Sequence, residues 1–259
     1  MRAGIIGNKG RMGAMLTRRM TGAGHEVRGA DLPLRAEDLA QACSGSEVVF
    51  LCVPAAALEE TARKITPYLP ASCALADITS VKVLPVRAME RAWNGPVVGT
   101  HPLFGPKTSS GRFAVSVTPG RGWKDGEELP PQDEKAVLLV EDLFRSLGWS
   151  PFRCSPETHD KAMAAIQGLN YITSLAYFAM LSRKPELLPF LTPSFERRKE
   201  AARTMLTSDS AMFAGIFAAN PMSQETVREF RAYLNVAAGG DIEVLAELAK
   251  GWFPEQSDQ

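Results

Sequence analysis

Short apolar runs alternate with amphipathic stretches along the first half of the chain. The runs "RAGIIG" (2–7), "HEVRGAD" (25–31), "SEVVFLCVP" (46–54), "CALAD" (73–77) and "PVVGTH" (96–101) predict strands. Helices are predicted from Arg11 to near Ala23, from near Ala55 and from near Val81. Near-continuous apolar strands separated by helices indicate a parallel sheet covered on both faces, the doubly wound pattern. "RFAVSVTPG" (112–120) adds a strand, and a Gly/Pro/charge-rich surface loop follows at 120–133. A helix from near Glu134 to Leu147 and the short run "WSPFRC" complete a first domain over 1–153.

From "SPETHD" onward the periodicity changes, and 154–259 reads as an all-helical domain. Ser155, followed by Pro156 and Glu157, is a good helix start. The helix from Pro156 to Ser182 is apolar nearly all round and should be buried, against another subunit if not against its own chain. Further helices are expected over 194–206, 209–219, 223–238 and 242–252, with a loose tail at "PEQSDQ". The helical half is too apolar to be left solvated, which predicts a homodimer through it.

Composition narrows the function. The 259 residues hold 29 basic and 29 acidic side chains, so nothing in the net charge suggests nucleic acid or an anionic membrane as partner. No run of about 18 apolar residues occurs, and the apolar run in "MRAGIIG" is too short for a signal peptide, so a cytoplasmic protein is expected. The four cysteines form no CxxC and no metal-like pairing with histidine, which predicts reduced thiols and no metal.

The chemistry starts at "GIIGNKGRMG", where a strand should end and a helix begin. Gly7, Gly10 and Gly13 let the backbone turn tightly and approach a pyrophosphate lying at the helix amino terminus, with Lys9 and Arg11 adding positive charge. Asp31, 18 residues after Gly13 at the end of the second strand, would accept bonds from a ribose 2′-hydroxyl and repel a 2′-phosphate, although Arg28 and Arg35 lie nearby. Val53 and Pro54, ending the third strand, fall at the same rim. The expected cofactor is NAD on a Rossmann-type fold. Ligands of such sheets bind outside the carboxyl ends of the strands, where "DITSVK" brings Ser80 and "GTHPLFGP" brings His101. A histidine there can take a proton from a hydroxyl at neutral pH; the alternative is a buried histidine capping a strand.

"GTHPLFGP" with "DITSVK" resembles the prephenate dehydrogenase family, whose usual form is close to GxHPMFGP; Leu103 stands at the methionine. "GNKGRMG" is similar to the family's GGxGxMG loop, with Asn8 at a glycine position and Met12 matched. "ETHDKAMAAIQGLNY" is similar to its EHDxxMAxIQxL stretch. The resemblance, over roughly residues 3–215, implies NAD-linked oxidative decarboxylation of prephenate to 4-hydroxyphenylpyruvate in tyrosine biosynthesis. It implies that His101 deprotonates the ring hydroxyl and Ser80 orients His101 and the substrate. A monofunctional enzyme is expected, without a mutase or regulatory extension.

His159 matches the family's second histidine, as a substrate contact or a structural residue of the first helix turn; Asn170, eleven residues on, would share its helix face with Gln167 and Ser174, a polar strip expected to border the substrate site or pair across an interface. The family's carboxylate-gripping arginine falls here on Glu196, leaving Arg197 or Arg198 to replace it. A glutamate there would also suit arogenate, whose side chain carries an amine. A non-catalytic NAD-binding regulator is the alternative from another class. A β-hydroxyacid-type dehydrogenase would need a lysine motif in the helical domain, and none is present.

Overall fold

The strands form because their residues can be buried on both sides. Val48–Leu51, Ala74–Asp77, Val97–Pro102 and Ala114–Pro119 are buried at every position. The computed structural model describes residues 1–253, so "PEQSDQ" lies outside the described residues. The chain divides into two compact units, Met1–Met163 with Ala214–Asn220, and Ala164–Phe213 with the segment from Pro221.

In chain order the first unit holds β1 (Arg2–Ile6), α1 (Arg11–Gly22), β2 (Glu26–Ala30), α2 (Ala36–Cys43), β3 (Val48–Leu51) and α3 (Ala55–Ile65). Then come β4 (Ala74–Asp77), α4 (Val83–Ala92), β5 (Val97–Pro102), β6 (Ala114–Pro119), α5 (Pro131–Ser146), β7 (Ser150–Arg153) and α6 (Pro156–Met163). The seven strands lie in the order β2-β1-β3-β4-β5-β6-β7. All neighbours are parallel except β5 and β6, which run antiparallel. The exception has a simple cause: no helix separates those two strands, and without a crossover the chain can only return alongside itself.

Alternation along each strand splits the core into two layers. Ile5, Phe50, Ala76, Val98 and Val117 pack with Met15 and Leu16 of α1 and Val140 and Phe144 of α5. Ile6, Val49, Leu51, Leu75 and Val97 pack on the opposite face with Leu39 of α2, Leu58 and Ala62 of α3, and Val86 and Met89 of α4. Helix α2 goes beyond the pattern read from sequence. It begins at Arg35 without a side-chain cap and is held by Leu39, Ala42 and Cys43, buried at i, i+3 and i+4.

The predicted helix 156–182 is not one regular helix. It is α6, a π-helical turn at Ala164–Gly168, and α7 (Leu169–Leu181). The π turn adds a residue to the repeat, so the eleven-residue spacing from His159 to Asn170 does not return to one face, and Asn170 is exposed. The second unit continues with a 3₁₀ segment at Pro185–Phe190, α8 (Pro193–Leu206) and α9 (Ser210–Ala219), whose last residues belong to the first unit. It ends with α10 (Ser223–Ala238) and α11 (Ile242–Lys250). The expected burial of its apolar helices is incomplete within this chain: Met180, Leu188 and Phe190 are 52%, 65% and 75% exposed. Among the described residues no helix is long and apolar enough to cross a membrane.

Candidate active site

The sheet reverses its winding between β1 and β3, and Gly7 sits at that point with φ +90°. A side chain there would run into the carbonyl of Cys52, which follows β3. At Gly13 a Cβ would lie 2.1 Å from the Gly7 carbonyl oxygen, so the first turn of α1 can approach the loop only with glycine at that position. Helix α1 begins at Gly10 with no side-chain cap and no acidic residue in its first turn. That leaves an amino terminus suited to an anion. Asn8 is wedged against Gly29 of β2, and its buried Oδ1 has no partner among the described residues. Asp31 closes the loop: the Lys9 N–H donates to one carboxylate oxygen and the Leu32 N–H to the other, each at 2.8 Å. Arg28 is held by Glu26 at 2.9 Å.

At the far side of the rim, β4 and β5 pair only through Leu75–Val97 and Ala76–Val98. Beyond that, side chains take over. The Thr100 N–H and hydroxyl bond to the Asp77 carboxylate and carbonyl. The Lys82 ammonium, fully buried, donates to both Asp77 oxygens at 2.7 and 2.6 Å and to the Thr100 carbonyl at 2.7 Å. This locks the residue just before His101. Burial pulls the Lys82 pKa below its ordinary value, and Asp77 opposes the shift.

His101 pairs with Ser116 on β6 and is 5% exposed. Its Nδ1 lies 3.0 Å from Nε2 of His159, and Nδ1 of His159 lies 2.8 Å from Oδ1 of Asp160. The same carboxylate accepts from the Lys82 and Val83 N–H groups at 2.7 and 2.9 Å, capping α4 from a distant helix. Helix α6, which carries His159 and Asp160, starts as expected at Ser155: its hydroxyl accepts from the Thr158 N–H, and Asp125 accepts from the Ser155 N–H. Burial, the neighbouring His159 and then Lys82 hold the pKa of His101 well below its ordinary value. Burial also lowers that of His159, against the raising effect of Asp160. Both shifts favour the neutral form of the rings.

One role read from sequence changes here. Ser80 was expected to orient His101, but His159 makes that bond; Ser80 is half-buried and bonds to neither ring among the described residues. His159 was read as either a substrate contact or a structural residue, and both of its ring nitrogens are taken by protein. Lys82, Asp77 and Asp160 were missed, although "DITSVK" and "ETHD" contain all three; their partners lie up to 78 residues away. Val53 and Pro54 lead into α3. His25 bonds to Ser146 at 2.9 Å, remote in sequence from the cluster.

Gln167, Asn170, Arg197 and Arg198 lie in the second unit. Gln167 sits in the π turn with its buried Oε1 unpartnered among the described residues. Arg198 stacks 4.1 Å over the Tyr177 ring, and Glu196 pairs with Lys199 at 2.6 Å.

The family described as prephenate dehydrogenase, nucleotide-binding domain, matches residues 17–116, a stretch that includes Asp31, Ser80, Lys82 and His101. Over that stretch the chain is similar to the prephenate dehydrogenases. It is 30% identical over 233 residues to the T-protein of Enterobacter agglomerans, covering 87% of this chain and 58% of that protein. The chain spans about half the length of the curated relatives it matches. Its fold matches Synechocystis arogenate dehydrogenase (TM-score 0.77, 18% identity, 97% of each chain). It also matches Aquifex aeolicus prephenate dehydrogenase in complex with hydroxyphenyl propionate and NAD+ (TM-score 0.74, 22% identity, 97% of this chain and 95% of that one).

Proposed function

We propose that this protein is an NAD-dependent dehydrogenase that oxidatively decarboxylates prephenate to 4-hydroxyphenylpyruvate. The observation that carries the reading is His101: a buried imidazole at the carboxyl end of β5, held by His159, on a sheet that opens with a glycine loop. NAD, when bound, supplies the two-electron acceptor. The donor set fits it. The uncapped start of α1 suits the pyrophosphate, and Asp31, already accepting two N–H groups, keeps lone pairs for a ribose hydroxyl. His101 takes the proton of the ring hydroxyl as the ring carboxylate leaves as CO2, and returns it to the phenolate oxygen. Ser80, with its hydroxyl unengaged among the described residues, is available to the substrate. Decarboxylation is driven by aromatisation of the ring, so the site need only position the substrate and handle one proton.

Arogenate carries an amino acid side chain on the same ring, and the names of relatives favour it as the second reading. One is the probable arogenate/prephenate dehydrogenase of Methanocaldococcus jannaschii, 27% identical over 197 residues. Parallel assays of NADH formation with each substrate decide between them, and turnover of arogenate alone would replace the first reading with the second.

Two further results are expected. Asp31→Ser removes the acceptor that closes the loop, so NAD should bind about 10-fold or more weakly, the loss of one charge-assisted bond, while NADP discrimination falls. Calorimetric titration with both nucleotides reads this; unchanged NAD affinity would refute the role of Asp31. The second unit's exposed Met180, Leu188 and Phe190 support a homodimer, which sedimentation would read as twice the 28.1 kDa chain.

A further inference from the structure

We propose that Asp160 is the positioning residue for His101: acting through His159, its carboxylate fixes the tautomers of both rings so that His101 presents a bare Nε2 to the substrate hydroxyl. The inference rests on the dehydrogenase reading for its purpose, but its geometry stands independently. A carboxylate only accepts hydrogen bonds, so at 2.8 Å the Nδ1 of His159 must be the donor to Asp160. In a neutral ring the proton on Nδ1 leaves Nε2 as an acceptor. The partner of that Nε2, 3.0 Å away, is Nδ1 of His101, which must then donate. A neutral His101 with its proton on Nδ1 has a lone pair on Nε2 and nothing else to do with it.

The order matters because a free neutral imidazole prefers the opposite tautomer, with the proton on Nε2. Without Asp160 the chain of donors could run backwards: His159 donating from Nε2, His101 accepting at Nδ1, and a proton occupying the atom that should receive one. Asp160 sets the direction firmly because it is itself immobile. It is fully buried, its oxygens accept from the Lys82 and Val83 N–H groups, and its carbonyl accepts from the Asn220 amide at 2.8 Å. When His101 takes a proton at Nε2, its Nδ1–H can shift toward Nε2 of His159, and the carboxylate beyond stabilises the positive charge. The proton comes from the substrate hydroxyl, and no other bond changes in the protein. The other charged groups facing these rings are Lys82 and Asp77, which pair with each other.

The test is nuclear magnetic resonance of the full chain carrying isotope-labelled histidine at neutral pH. His101 and His159 should both be protonated at Nδ1 and bare at Nε2, with exposed-side His25 as the internal reference. A proton on Nε2 of His101 overturns the proposal, whatever the enzyme turns over. Kinetics supply the second arm. Asp160→Asn should lower kcat by about 10²–10⁴-fold with NAD affinity retained. His159→Gln, whose amide oxygen can still accept from His101, should retain more of kcat than His159→Leu. Equal losses in those two variants, or an Asp160→Asn enzyme with wild-type kcat, would count against it. Should the wild type turn over neither prephenate nor arogenate, the function reading falls while the tautomer measurement still decides this one.

Discussion

Replacing His101 by asparagine is expected to lower kcat for prephenate by about 10²–10⁴-fold, the usual contribution of a positioned general base, while NAD affinity stays near wild type. Asparagine keeps a donor near Nε2 of His159 but carries no group that can accept a proton at the substrate. The pH profile supplies the complementary evidence. Only neutral His101 can act as base, and burial, His159 and Lys82 hold its pKa below the ordinary 6.5. A depressed pKa keeps the ring deprotonated to lower pH, so kcat/KM should be flat through neutrality and fall only as pH drops well below 6.5. An acid limb centred at or above 6.5, or a His101→Asn enzyme with most of its turnover, would remove His101 from the chemistry.

The largest effect on stability is expected from Lys82→Met. The side chains of Lys82 and Asp77 are both fully buried and bond to each other twice. Methionine fills the same space but leaves the Asp77 carboxylate uncompensated, which typically costs about 3–5 kcal/mol. The Thr100 carbonyl loses its donor at the same time, so the segment leading into His101 is loosened. Urea unfolding should show a lower midpoint at unchanged slope. Asp77→Asn combined with Lys82→Met should recover a large part of the loss, because an apolar or neutral replacement of the whole pair is often close to neutral. A single variant that loses less than about 1 kcal/mol would mean that water or a rearranged neighbour compensates Asp77, contrary to the packing described.

The parts of this fold that were legible in sequence are those determined by neighbours along the chain. Strand runs such as "VVFL", the glycines around α1, and Ser155 at the start of α6 each act over a few residues, and each lies where the pattern puts it. Helix α2 was missed because "AEDLAQAC" is short and begins without a capping side chain, so only its three buried positions signal it. The π turn at Ala164–Gly168 has no comparable local signature, and counting in α-helical steps across it misplaces Asn170. His101 was legible only because its strand belongs to a sheet that opens with a glycine loop and because "GTHPLFGP" resembles a known family's motif; taken alone, a histidine at a strand end is equally a capping residue. What surrounds it was not: Asp160 reaches Lys82 across 78 residues and His159 reaches His101 across 58. Such pairings depend on how α6 packs against the sheet, and no spacing within either motif encodes them.

The central claim is that a dinucleotide fold and a neutral histidine together oxidise and decarboxylate prephenate. The most direct measurement follows NADH and CO2 together as purified protein consumes prephenate in the presence of NAD. The account predicts equal amounts of NADH, CO2 and 4-hydroxyphenylpyruvate, with no formation of any of them by His101→Asn beyond its small residual rate. Tight NAD binding without NADH formation from prephenate or arogenate would contradict it, and would leave a dinucleotide-binding protein in which the buried histidine pair serves the fold.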